Sequence, residues 1–413
     1  KKNYLWYRHI PENLNIYDES ESLYDFLNAM RYRDDGKLVD RWSYIAEKQA
    51  HSDYYAGKYY GFGFGRRKVE DRYFITIVYP GSPAWDAEMR RGMEILEVDG
   101  YSIEEIENNQ AYNNEHSSDP DYEAKPDWNS LLKKEEQGVP VEFKLRKTDG
   151  TVFKTTAATG EVTVKSVLNH AVVEHGGEHI AYLALKSYIN STYEELDEVF
   201  EYFSTRQEQE DLKISKMVLD LRYNGGGWLG ASEHLASLIG GKNISESDIY
   251  AELTYNDKRQ DYNKQYYFSS LGHALNIEDL AVITTGGTAS ASEATINGLE
   301  PFINVALVGK TTSGKPVGMN SWDICNYTFV PITFKVANAE GYGDYFFGIE
   351  TDCPAEDDVT QDFGSPEEKS MSEALHFLNE KECSPKSQEI ETRTFIEDRV
   401  APLRGIYGII GTM

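Results

Sequence analysis

Apolar positions recur along the chain with two different periods, and the places where the period changes divide it into regions. In ESLYDFLNAMRY, Leu23, Phe26, Leu27 and Met30 fall at helical spacing, and VDRWSYIAEKQ reads as a second amphipathic stretch. Residues 1–57 are therefore expected to form an aromatic, helical segment whose stripes are packing surface. From 58 to 162 the pattern shortens to strands, YYGFGFG and RYFITIVY first, then GSPAWDAEMRRGMEILEVDG. NNQAYNNEHSSDPDYEAKPD has no apolar period and reads as a surface loop, and WNSLLKKEEQG as a short helix ending at Gly138. VPVEFKLRKTDGTVFKTTA alternates across a T-D-G turn, the signature of a hairpin.

From 163 to 384 strands and helices alternate. HIAYLALKSY, KMVLDLRYN, LAVITTGG and VALVGK are nearly continuous apolar runs. Between them lie the helical patterns STYEELDEVFEYFSTRQ, with Ser191 or Thr192 placed to cap it, GASEHLASLIGG and SASEATINGLEPF. Such alternation predicts right-handed crossovers and a largely parallel sheet. The fold class expected is α/β and multidomain, and the tail, 385–413, is weakly patterned and expected to wrap the core.

Composition narrows the functions on offer. With 40% hydrophobic and 27% charged residues, the chain reads as soluble and globular, and no apolar run is long enough to span a bilayer. A net charge of −28 argues against nucleic acid and anionic membrane surfaces as partners. Cys325, Cys353 and Cys383 match no metal spacing, and either one disulfide with a free thiol or three buried thiols fits them. The opening KKNYLWYRHI carries neither an apolar signal core nor a cleavage site.

Three segments carry chemistry. In LAVITTGGTASASEATINGLEPF a buried strand ends in two glycines, and small residues lead straight into a helix. That turn lifts a serine hydroxyl to a helix N-terminus, while Ala289 and Ala291 let a substrate backbone approach. A serine there, Ser290 or Ser292, could equally be a helix cap. VLDLRYNGGGWLGASE is a second strand running into glycines, whose exposed amides suit either an oxyanion or an ordinary tight turn. VALVGKTTSGKPVG places Lys315 between Gly314 and Pro316, and a lysine becomes a base only where burial disfavours its ammonium form.

Taken in order, these three motifs resemble the signature of the carboxyl-terminal processing peptidases, or tail-specific proteases. The resemblance covers about residues 178–380, and Lys315 lies 25 residues after Ser290, the spacing that the family keeps between nucleophile and lysine. It implies Ser290 as nucleophile rather than Ser292, Lys315 as general base, and an oxyanion hole from the amides of Gly227 and Ala291. It also implies a core like the crotonase and Clp-peptidase superfamily over 163–384, needing neither metal nor cofactor. GFGFG at 61–65 resembles the carboxylate-binding loop of a PDZ domain, with Gly61, Phe62, Gly63 and Phe64 as peptide-binding residues of a PDZ-like β domain over 58–162. The partners implied are protein or peptide substrates. The location implied is the bacterial periplasm or cell surface, with a signal or lipid anchor outside this sequence.

One position departs from the family, since Met319 stands where a lysine-orienting glutamine is usual and Asn320 is its neighbour. His170, His175, His179 and His234 are the alternative bases. A peptide-binding protein on an inactive peptidase core, and a crotonase-like enzyme acting on acyl-thioesters, are the rival functions.

Overall fold

The computed structural model describes residues 22–34, 37–117, 122–134, 136–385 and 387. The expected tail beyond 387 and the first 21 residues lie outside the described residues. The chain is a mixed α/β protein that divides into two compact units, one made of 57–165 with 358–365 and the other of the remaining described residues.

The larger unit is built on a six-stranded sheet. Its order is Val167–His175, Glu178–Leu185, Lys216–Asp220, Asp279–Thr284, Asn304–Gly309, Cys353–Pro354. The first two strands form an antiparallel hairpin and every later neighbour is parallel. The central strands read as unbroken apolar runs because both faces are covered: Met217, Val218 and Leu219 are all inaccessible to solvent. Leu219, Val282 and Leu307 join one core with Leu235 and Ile239 of the helix Leu229–Gly240 and Ile296 of the helix Ala291–Leu299. The helix Lys369–Glu380 lies across the same three central strands. Burial of each large apolar side chain here contributes roughly 1.5–3 kcal/mol. Cys353, on the edge strand, is bonded to Cys383 just beyond that helix, and Cys325 is a free, exposed thiol. One disulfide and one free thiol is thus the arrangement found.

This unit also holds a two-stranded pairing of Arg33–Asp34 with Lys37–Leu38 and two further sheets. One runs Lys264–Tyr267, Ile249–Tyr255, Ile332–Ala337, Val317–Met319, and the other Trp322–Ile324, Tyr327–Val330, Tyr44–Glu47. The last strand corrects the reading of VDRWSYIAEKQ as one amphipathic stretch. Tyr44 and Ala46 are buried in alternation while pairing with Tyr327–Val330, and only Lys48–Tyr55 is helical. The helix Leu23–Met30 forms as expected, capped by the Ser22 hydroxyl and burying Leu27.

The smaller unit is an antiparallel sheet ordered Val152–Ala158, Pro140–Arg146, Glu94–Val98, Arg72–Val78, Phe64–Val69, with Lys58–Gly61 paired to Gly160–Thr163 beside it. The hairpin across T-D-G pairs Val152 with Arg146 and Ala158 with Pro140. Phe62, Phe64, Ile75, Met89, Ile95 and Phe143 fill its core. The Asn-rich stretch read as a loop is helical for its first part, in Ile103–His116. A capping box between Ser102 and Glu105 starts that helix. Asn113 then bonds the Lys125 N–H, the Lys125 carbonyl and the Asp127 carboxylate, so amide side chains replace the missing apolar face. Among the described residues no helix is long and apolar enough to cross a membrane.

Candidate active site

The parallel strands of the larger unit deliver three turns to the same place. Asp279–Thr284 ends in a turn pinned by Thr288, whose hydroxyl accepts from the Thr285 N–H and donates to the Leu221 carbonyl. Two residues on, Ser290 takes φ 60° and ψ −116°, a left-handed conformation for a residue with a side chain. Such a backbone costs about 1–3 kcal/mol and persists only where its surroundings hold it. Ser290 is half-buried and immediately precedes the helix Ala291–Leu299. Ala291 is the first residue of that helix, so its N–H lies outside the helical ladder. Ser292, the competing candidate, is fully buried and its hydroxyl donates to the Asn224 carbonyl at 2.9 Å.

Lys216–Asp220 leads into the second turn. Arg222, almost wholly buried, bonds Asp220, Asp357 and Glu368, which anchors the strand end. Asn224 then organises the glycines: its side chain accepts from the Gly226 N–H and its carbonyl from the Ala289 N–H. Gly226 and Gly227 have φ of 101° and 143°. A Cβ on Gly226 would sit 2.8 Å from the Ser290 Cβ, and one on Gly227 would sit 2.0 Å from the Tyr188 carbonyl oxygen. The glycine run is therefore a close backbone approach to the Ser290 turn.

The third turn follows Asn304–Gly309 and contains Lys315, which is 8% exposed. Glu293, one turn into the Ser290 helix and inaccessible to solvent, joins it to the first. One Glu293 carboxylate oxygen accepts from the Ser290 N–H at 2.9 Å and the Lys315 N–H at 2.8 Å. The other accepts from the Thr312 hydroxyl at 2.5 Å and the Gly314 N–H at 2.6 Å. Ser313 N–H also donates to the Thr288 carbonyl. Burial pushes the Glu293 carboxyl up, against the pull of those four hydrogen bonds. Burial likewise lowers the Lys315 amine to about 8, with the charges of Glu293 and Asp40 opposing it.

The structure thus brings Ser290, Ala291, Gly227 and the Lys315 turn into one neighbourhood and leaves the other candidates elsewhere. Met319 packs in apolar clusters with Tyr44, Trp42 and Ile332. The Asn320 amide donates to the Tyr255 hydroxyl and Thr333, both at 3.1 Å. His170 lies against the rings of Tyr202 and Phe203, His234 bonds Asp197, and His175 and His179 pair across the first hairpin with Glu178 and Glu174. Glu293 carried no role in the sequence reading, although Ser290-x-x-Glu293 is a capping-box pattern that could have drawn attention to it.

In the smaller unit Gly61 pairs with Gly160, and Phe62 and Phe64 are buried, so the two aromatic side chains belong to the core. The Gly63 carbonyl accepts from the Tyr79 N–H, and a Cβ at this φ of 85° would overlap Ser82. Phe64–Val69 is the last strand of its sheet.

Residues 179–354 match the peptidase family S41 domain, and residues 1–44 match the peptidase S41 N-terminal domain. The chain is 26% identical over 205 residues to a carboxyl-terminal-processing protease of Synechocystis sp. (strain ATCC 27184 / PCC 6803 / Kazusa), covering 49% of this chain and 44% of that protein. It is 24% identical to the carboxy-terminal processing protease CtpB of Bacillus subtilis (strain 168), covering 67% of this chain and 52% of that one. The chain therefore spans about half the length of these two relatives. A solved structure described as an S41 protease from Bacteroides fragilis NCTC 9343 shares the fold at a TM-score of 0.71 and 24% identity, over 92% of this chain and 95% of that one.

Proposed function

This chain belongs to the S41 peptidase family, and from that premise we propose that it is a serine endopeptidase with Ser290 as nucleophile and Lys315 as general base. The observation that carries the reading is the Glu293 carboxylate, which bonds the backbone N–H of both residues and so fixes one turn against the other. Lys315, its amine lowered to about 8 by burial, takes the Ser290 proton as the oxygen attacks a peptide carbonyl. The N–H groups of Gly227 and Ala291 hold the tetrahedral oxyanion, each contributing about 3–4 kcal/mol. Lys315 then protonates the leaving amine, and water releases the acyl group from Ser290. A fluorophosphonate probe should form a single adduct, mapped by peptide sequencing to Ser290, with a rate that climbs as pH rises through about 8. An unlabelled Ser290 in folded protein would return the chain to the class of peptide-binding proteins on an inactive core.

The second element of the proposal is that the smaller unit recognises the C-terminal tails of protein substrates in the manner of a PDZ domain. Gly61, Phe62, Gly63 and Phe64 lead into Phe64–Val69, an edge strand to which an extended peptide can add. Amidating a peptide's C-terminus should remove a charge-assisted contact of roughly 1.5–3 kcal/mol and weaken binding about 10- to 100-fold. Titration of Ser290→Ala protein with matched free-acid and amidated peptides reads this without turnover. Equal affinities would exclude a carboxylate nest.

The Cys353–Cys383 bond supports an extracytoplasmic location, because such bonds persist where thiols are not kept reduced.

A further inference from the structure

A lysine base must be neutral before the reaction and cationic during it. Burial supplies the first condition at Lys315 and works against the second. Four residues beyond the lysine Met319 packs in apolar clusters, and Asn320 is directed to Tyr255 and Thr333. Glu293 spends its oxygens on backbone N–H groups and the Thr312 hydroxyl.

Another buried carboxylate lies against the lysine turn. Asp40 is 1% exposed and accepts from the Ser43 N–H at 2.9 Å, closing a tight turn over 40–43. That turn is seated on the Lys315 segment by two contacts and on the neighbouring strand Ile332–Ala337 by a third. Arg41 donates to the carbonyls of Gly314 and Phe346, at 3.4 and 3.0 Å. Trp42 packs with Val317 and Ile332. The Ser43 hydroxyl accepts from the Ile332 N–H at 3.1 Å. The charges bearing on the amine are those of Glu293 from the helix and Asp40 from this turn, while the Arg41 guanidinium is turned to the Gly314 and Phe346 carbonyls and Tyr345 is buried close to Glu293. The Asp40 charge reaches the Lys315 amine and favours its ammonium form.

We propose that Asp40, from the N-terminal segment, is a positioning residue of the general base, adding to Glu293 a second negative charge against which Lys315 accepts its proton. The inference rests on the Ser290–Lys315 reading. It makes the region matched as an S41 N-terminal domain, residues 1–44, a contributor to the catalytic centre.

The test is the pH profile of kcat/KM for Asp40→Asn and Asp40→Glu beside wild type. Asparagine keeps an oxygen for the Ser43 N–H, so the bond that closes the turn is retained while the charge is lost. Without that charge the lysine should deprotonate more readily, moving the acid limb down by about one pH unit. The weaker base should also lower the plateau about three- to tenfold. Asp40→Glu should keep both near wild type. An unmoved limb in Asp40→Asn overturns the proposal whether or not the plateau falls, since a fall alone would mark a structural role. Should Asp40→Asn fail to fold, Asp40→Ser retains an acceptor for the turn and carries the same comparison. Lys315→Ala separates the two levels: activity in that variant sinks the underlying reading, whereas an inactive Lys315→Ala with an unmoved Asp40→Asn limb sinks only the role of Asp40.

Discussion

Ser290→Ala and Lys315→Ala are each expected to lower kcat for peptide hydrolysis by on the order of 10⁴ or more, with the double variant little worse than either. In the proposed mechanism the two groups act in one proton transfer, so removing one leaves the other with nothing to do. Residual rate would come from substrate binding and the Gly227 and Ala291 amides. Lys315→Arg should be nearly as damaging as Lys315→Ala, because a guanidinium keeps its proton and cannot act as base. Wild-type kcat/KM should fall about tenfold per pH unit below the lysine pKa, since only the neutral amine is competent. With burial setting that pKa to about 8, the acid limb should appear there rather than near the ordinary lysine value. The Ser292→Ala variant is the control, because its hydroxyl is already committed to the Asn224 carbonyl. A Lys315→Arg enzyme within tenfold of wild type would show that the lysine only pairs or positions.

What the sequence revealed of this site was what is local. A buried strand, two glycines, small residues and a helix define the Ser290 turn within some twenty positions, and the same logic exposes the glycine run at 225–227. Choosing Ser290 over Ser292 needed the fixed spacing to Lys315, because both serines suit a helix start. In the structure the distinction is physical, since one hydroxyl is sealed under Asn224 and the other follows a strained backbone. Residues whose roles depend on distant partners were invisible. The role proposed for Asp40 depends on Arg41, Trp42 and Ser43 docking on Gly314, Val317 and Ile332, hundreds of positions away. The Tyr44–Glu47 strand was hidden for the same reason, as four residues of alternation inside a helical-looking run gain meaning only beside Tyr327–Val330. The helix Ile103–His116 was missed because its inner face is built from Ile106 and Asn113 rather than an apolar stripe.

Replacing Glu293 should separate charge from reach in the catalytic centre. Its two oxygens serve two donor pairs, Ser290 with Lys315 and Thr312 with Gly314. In Glu293→Gln only one of those pairs keeps an acceptor, and the new amide group turns its own N–H bonds toward the other. Leaving buried donors unpaired should cost about 2–4 kcal/mol, read as a lower urea midpoint at unchanged slope. Loosening the Ser290 turn against the Lys315 turn should lower kcat by about 10²-fold, the scale expected when reacting groups shift by an ångström. Because the Glu293 charge also favours the Lys315 ammonium, its loss should move the acid limb of kcat/KM to lower pH. Glu293→Asp keeps the charge on a side chain one methylene shorter, unable to serve both turns at once. That variant should lose rate while its acid limb stays near wild type. If the glutamine variant retains full kcat, the carboxylate is merely a helix cap, and the two turns are held together by the Ser313 to Thr288 bond and the packing of Gly226 on Ser290.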